Sequence, residues 1–115
     1  VIVAHEKNQP GTAVNTPGAV NVFKKSLVGP AQGWTGWVMR LFTINSGGST
    51  PRHAHPWPHI NYILGGRGVL YLEGKENPVE AGCYAYVPGN AEHQFINSGD
   101  GDFTFICIVP DEGDK

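Results

Sequence analysis

Arg52-His53-Ala54-His55-Pro56-Trp57-Pro58-His59-Ile60-Asn61-Tyr62-Ile63-Leu64-Gly65-Gly66, residues 52–66, holds three of the chain's five histidines and one short strand. His53 and His55 stand two apart, so on an extended backbone their rings share one face. Pro56 and Pro58 interrupt the run. His59 then opens a short strand, Ile60–Leu64, which Gly65–Gly66 terminates, and Gly68–Glu73 is predicted as its hairpin partner. Upstream, Trp34–Ile44 alternates Val38, Arg40 and Phe42 on one face with Met39, Leu41 and Thr43 on the other. Asn45–Ser49 reads as a turn, and Ala19–Val28 as an edge strand behind it. Downstream, Cys83–Val87, Glu92–Asn97 and Phe103–Val109 are predicted strands, separated by Pro88-Gly89-Asn90 and Ser98-Gly99-Asp100-Gly101. No segment sustains a helical period, which gives an all-β chain of sandwich or barrel type.

Composition agrees. The chain has 115 residues, of which 16 are Gly and 9 are Pro, and without a G-X-Y period such an excess punctuates many short elements. A chain of this size buries roughly two-thirds of its unfolded surface, enough for one core. This excludes a two-domain enzyme, a dinucleotide fold with a separate substrate domain, and a (β/α)8 barrel. We expect one domain over residues 1–115, with an N-terminal arm (1–18, a short strand at Val1–Ala4) and a charged, flexible tail (111–115). With a net charge of −2 and no basic cluster beyond Lys24–Lys25, neither a nucleic-acid nor an acidic-lipid surface is expected. No apolar run reaches the ~18 residues of a spanning helix, and the first residues do not resemble a signal peptide. Cys83 and Cys107 are expected as free thiols, which suits a cytoplasmic location.

The histidines carry the chemistry. His53, His55 and His59 lie within one short run, and clustered imidazoles repel one another when protonated. Deprotonation at neutral pH is best rewarded by a metal ion. His93, following the Pro88-Gly89-Asn90 turn, is the distant candidate for a fourth ligand, whereas His5 lies in the arm and is set aside.

Here the spacing resembles the cupin superfamily. Gly47, five residues, His53-x-His55, three residues, His59, six residues and Gly66 follows its first motif, with His59 where the usual residue is Glu. Gly82, five residues, Pro88, then His93, three residues and Asn97 follows the second, with Asn90 in place of a Gly. Val38–Thr43, Arg52–His59 and Ile108–Pro110 further resemble the small, single-domain, four-histidine bacterial cupins, several of which bind manganese. The resemblance implies a jelly-roll β-barrel over residues 19–110 whose lumen holds one divalent transition metal on His53, His55, His59 and His93. Manganese or iron is favoured by cellular supply, whereas zinc, nickel or copper would win on affinity alone. It also implies barrels that pair as a homodimer, and the N-terminal segment carrying Val20, Val22, Leu27 and Val28 would otherwise leave an exposed edge.

Alternation extends the site. Asn61 and Ile63 share the face of His59, Phe95 shares that of His93, and Phe105 and Cys107 share a face of their own strand. The resemblance favours these faces, and that of Arg40 and Phe42, as inward. Phe42, Ile63, Phe95 and Phe105 serve equally as plain core. Arg40 is either a solvated or ion-paired edge residue or a pocket cation for an oxyanion. Cys107 reads as a small buried hydrophobe rather than a nucleophile. Four neutral imidazoles leave an ion's charge uncompensated and two positions open, which points to a dioxygenase-like oxidoreductase acting on a small organic molecule. The alternative is a non-catalytic ligand-binding or sensory domain with a structural metal.

Overall fold

In the computed structural model, which describes residues 2–114, all strand pairing is antiparallel. The strands are β1 (Thr12–Ala13), β2 (Val20–Val28), β3 (Trp37–Ser49), β4 (His59–Gly65), β5 (Arg67–Leu72), β6 (Lys75–Glu80), β7 (Tyr84–Val87), β8 (His93–Asn97) and β9 (Phe103–Pro110). They form one curled sheet in the order β6-β5-β8-β3-β9-β4-β7, with β2 also on β3 and β1 on β2. Only single-turn 3-10 helices occur beside the strands among the described residues.

Period-two burial makes this a curled sheet with a filled inside. In β9, Phe103, Phe105, Cys107 and Val109 are buried and the residues between them are half-exposed; β8 repeats the pattern with His93, Phe95 and Asn97. Phe103, Phe105, Ile44, Leu70, Val22 and Val87 belong to one core cluster. Burial of each such side chain stabilises by about 1.5–3 kcal/mol.

The sequence predicted a turn at Asn45–Ser49, but β3 runs straight through it. Its register with β2 jumps from Val22↔Ile44 to Val20↔Ser49, so extra residues bulge out on β3 and re-aim the strand. Ser49 then pairs with Ile96 of β8, and β3 thereby joins both halves of the barrel. Gly48 permits the bend, since a Cβ there would lie 2.4 Å from the Val20 carbonyl oxygen.

Further expectations are corrected. Gly68–Glu73 is not the hairpin partner of Ile60–Leu64: β4 pairs with β7 and β9, and β5 with β6 and β8. Gly65–Gly66 carries the chain across the barrel instead of folding it back; Gly66 has φ +80° and a Cβ on it would lie 2.1 Å from the Asp102 carbonyl oxygen. The partner of β5 is β6, a polar strand the sequence reading passed over, joined to it by Glu73 and Gly74 at φ 48° and 83°. Pro78 is tolerated there because β6 ends the sheet. Of the strand expected at Val1–Ala4, Val1 lies outside the described residues and Ile2–Ala4 is irregular. The arm contributes β1 instead, pairing Thr12 with Lys24 and Ala13 with Phe23. Where a flexible tail was expected, Asp111–Asp114 forms a 3-10 turn; Lys115 lies outside the described residues.

Candidate metal centre

The two motif segments meet through backbone pairing. His53 N–H donates to the His93 carbonyl (3.1 Å) and His93 N–H to that of His53 (2.9 Å), an antiparallel bridge across the barrel mouth. Asn90 N–H donates to the His55 carbonyl at 2.7 Å. Gly89 lets the segments close, because a Cβ there would lie 2.3 Å from the Pro56 carbonyl oxygen. Asn90, standing where the motif has Gly, takes φ 67°, a left-handed conformation that Asn tolerates. Asn97, the last residue of the second motif, has a structural role: its amide donates to the Ile44 and Gly101 carbonyls, both at 2.8 Å, and so ties β8 to β3 and to the next turn.

His53, His55 and His93 form a cluster able to hold a metal ion, with their ligand nitrogens all within 4.8 Å of one another. His59 adjoins it, with its Nε2 3.2 Å from Nε2 of His93. The outward nitrogens decide the chemistry. Nδ1 of His53 faces the Pro51 carbonyl (2.8 Å), that of His55 the Trp57 carbonyl (2.8 Å) and that of His93 the Ala91 carbonyl (2.9 Å). A carbonyl oxygen only accepts, so each of these Nδ1 atoms carries the hydrogen and each Nε2 presents a lone pair. Nδ1 of His59 meets Oδ1 of Asn61 at 2.6 Å, the same arrangement made with a side-chain oxygen. Converging lone pairs without a proton between them call for a cation. The donor set therefore fits a transition metal, and imidazole suits several.

Burial holds three of the rings, His55, His59 and His93, below the ordinary imidazole value. His59, 6% exposed, is held far below the ordinary imidazole value of 6.5, at about 3, chiefly by desolvation and only partly offset by the Asn61 hydrogen bond. Desolvation likewise lowers His55 and His93, against the opposing pull of their carbonyl partners. His55 also stacks on Trp57, with ring centroids 5.0 Å apart.

The rings line a cavity of about 800 Å³. Arg40, Phe42, Asn61, Phe95, Phe105 and Cys107 line it too. Phe42, Phe105 and Phe95 form a continuous stack, with centroids 5.4 and 4.2 Å apart. Ile63 does not line the cavity; it is 2% exposed and packs in the core behind the wall. Arg40, Cys107 and Asn61 are direct neighbours across β3, β9 and β4, so the three side chains make one transverse row. Arg40 Nη2 donates to the Cys107 sulfur (3.2 Å), and Nη1 approaches Asp114 Oδ1 at 3.4 Å. Cys83 and Cys107 are both free thiols.

Some lining was not foreseen. Val14, Thr16 and Pro17 of the arm and Asp114 of the C-terminal turn reach the cavity, while His5 does not line it. Nothing local in the arm signals this; Trp57, inside the histidine run, was legible but not selected.

The cupin-domain family model matches residues 40–109. Among curated proteins, the chain is 33% identical over 74 residues to an oxalate-binding protein of Thermotoga maritima, covering 61% of this chain and 61% of that protein's length. It is 26% identical over 111 residues to a dimethylsulfoniopropionate lyase of Ruegeria pomeroyi, covering 82% of this chain and 73% of the relative. Among solved structures, the polyketide cyclase RemF of Streptomyces resistomycificus superposes with a TM-score of 0.90 at 27% identity, over 96% of this chain and 79% of that one. A predicted oxalate decarboxylase of Thermotoga maritima gives 0.85 at 24% identity, over 95% and 98%. The relatives' activities diverge although the barrel is shared. With both motifs meeting in one cavity and the family matched across its barrel, this chain belongs to the cupins.

Proposed function

We propose that this chain is a metal-dependent enzyme of the four-histidine cupin type, a dioxygenase-like oxidoreductase acting on a small organic molecule with an oxygen-bearing head and an apolar body. The observation that carries the reading is the convergence of imidazole Nε2 lone pairs in a cavity walled by three stacked phenyl rings. His53, His55, His59 and His93 would hold the ion. When bound, it supplies Lewis acidity towards substrate oxygens and, if manganese or iron, one-electron chemistry towards dioxygen.

The chain's own residues do the rest. Pro51, Trp57 and Ala91 carbonyls and the Asn61 amide orient the four rings, and burial of His59 and His93 keeps protons from competing for their nitrogens. Phe42, Phe95 and Phe105 exclude water from the substrate's apolar part. The metal-capable cluster consists of histidines alone, which favours redox or Lewis-acid chemistry over carboxylate-mediated proton shuttling.

A second reading, ring closure of a polyketone without oxidation, is favoured by the likeness to a polyketide cyclase over 96% of this chain. Oxygen uptake by manganese- or iron-loaded protein against enols, phenols and 1,3-diketones tests the first. Consumption of substrate with no oxygen uptake, aerobically and anaerobically alike, supports the second. Saturable binding without turnover of any of them defeats both and leaves a sensory or ligand-binding domain.

A second copy of the chain is the proposed protein partner. β2 already carries β1 and β3 on its two sides, so its bare edge is not the strongest argument. The outer face of β4 and β7 is stronger: Ile60 sits beside Tyr86 and Tyr62 beside Tyr84, and all four are exposed. Such contiguous apolar patches mark association surfaces.

A further inference from the structure

The cavity wall holds two buried hydrogen-bond donors that find no acceptor among the described residues: Nε of Arg40 and Nδ2 of Asn61. Both residues line the cavity, and they flank Cys107 in the transverse row. Asn61 is 1% exposed, so its amide hydrogens have no recourse to bulk water. An orphaned buried donor costs about 1–3 kcal/mol, and native proteins rarely carry two in one place without a ligand to satisfy them.

The orientation of Asn61 follows from the metal reading, on which this inference rests. A cation at Nε2 of His59 requires the hydrogen on Nδ1, so Asn61 turns Oδ1 towards that ring, as observed at 2.6 Å. Its Nδ2 is left without a partner. On the opposite flank, Arg40 gives one Nη1 hydrogen to Asp114 and one Nη2 hydrogen to Cys107, and its Nε is left without a partner. Charge favours an anion there. Lys24 and Arg40 share the single carboxylate of Asp114, at 3.5 and 3.4 Å, so among the described residues these two cations have one anion between them. Strands two apart in a sheet lie about 9.6 Å from one another. A carboxylate making two hydrogen bonds of ordinary length spans roughly 8 Å, and Arg40 narrows the gap by leaning over Cys107, whose sulfur its Nη2 reaches at 3.2 Å. Beside the row lies the Phe42–Phe105–Phe95 stack, a surface for a flat apolar body.

We propose that Arg40 and Asn61 form an oxyanion subsite that orients an aryl or alkyl monocarboxylate, with its carboxylate across the Arg40–Cys107–Asn61 row and its apolar part on the phenyl stack. Both are positioning residues for the substrate; neither is a ligand of the ion, although Asn61 also orients His59.

The test uses zinc-loaded protein, because zinc has no redox chemistry to confuse binding with turnover. Benzoate and benzamide affinities are measured by titration calorimetry, with zinc content determined for every sample. Wild type should prefer benzoate. Asn61→Asp keeps an acceptor for His59 but turns the free donor into a lone pair, so benzoate should weaken at least tenfold while benzamide, which brings its own donors, does not. Arg40→Met should weaken benzoate by about ten- to a hundredfold with zinc content unchanged. Thermal melts of each variant establish that it is folded, and each variant reports on the subsite independently of the other. Benzoate affinities within threefold of wild type in both variants, or no wild-type preference for benzoate over benzamide, overturn the subsite and leave the metal centre standing. A wild-type protein that takes up no zinc overturns the metal reading and this inference together.

Discussion

Acid should destabilise the metal-free protein through His59, by an amount the structure sets. In the unfolded chain this imidazole titrates at its ordinary value of 6.5; in the fold, burial holds it at about 3. Between those values the unfolded state binds a proton that the folded state refuses. Stability therefore rises with pH in that window and falls as the solution is acidified through 6.5. Above 6.5 both states are neutral and the residue contributes no slope; below about 3 both are protonated and the loss is complete. Within the window the slope is about 1.4 kcal/mol per pH unit for this one proton, or roughly 3 kcal/mol over two units. That is a large share of the 5–15 kcal/mol typical of a domain. The assay is urea denaturation of chelator-stripped protein from about pH 7.5 to 4.5, wild type against His59→Gln, which is neutral throughout. The comparison cancels the titrating groups remote from His59. Wild type should lose about 1.4 kcal/mol more per pH unit than the variant below pH 6.5. Parallel curves would refute the claim that this ring is buried uncharged.

Replacing His59 by Ala should reduce metal content sharply, and replacing His5 should not; full occupancy in His59→Ala by elemental analysis would sink the four-ligand set. Phe105→Ala removes a ring 2% exposed that stacks on Phe95 and Phe42, and should cost about 3–5 kcal/mol in denaturant titration. A loss below about 1 kcal/mol would mean that the cavity wall collapses around the vacancy. Light scattering should give twice the 12.4 kDa chain mass, reduced towards one copy by Tyr84→Glu; a monomeric wild type at micromolar concentration would refute pairing through β4 and β7.

Strand type and the residues sharing a face were legible in the sequence wherever burial follows a period of two, and the resemblance said which face is inward. Phe103, Phe105, Cys107 and Val109 could be read as one face because alternation is a property of the extended backbone itself. The candidate ligands were legible for a related reason: His53-x-His55 shares a face by local geometry, and the resemblance linked it to His59 and His93. Local geometry does not say which strand lies beside which. β4 and β5, adjacent in sequence, seemed a hairpin, yet Gly65–Gly66 sends the chain to the opposite wall and β4 pairs with β9. That choice depends on burying the inner face of every strand in one shared interior, a free energy shared among residues far apart in the chain. Tertiary structure alone therefore put Arg40, Cys107 and Asn61 in one row. It also brought Val14 and Asp114 from the two ends of the chain into one cavity. The histidine spacing is written locally, whereas the donors that would orient a ligand beside it exist as a pair only after three non-consecutive strands have met.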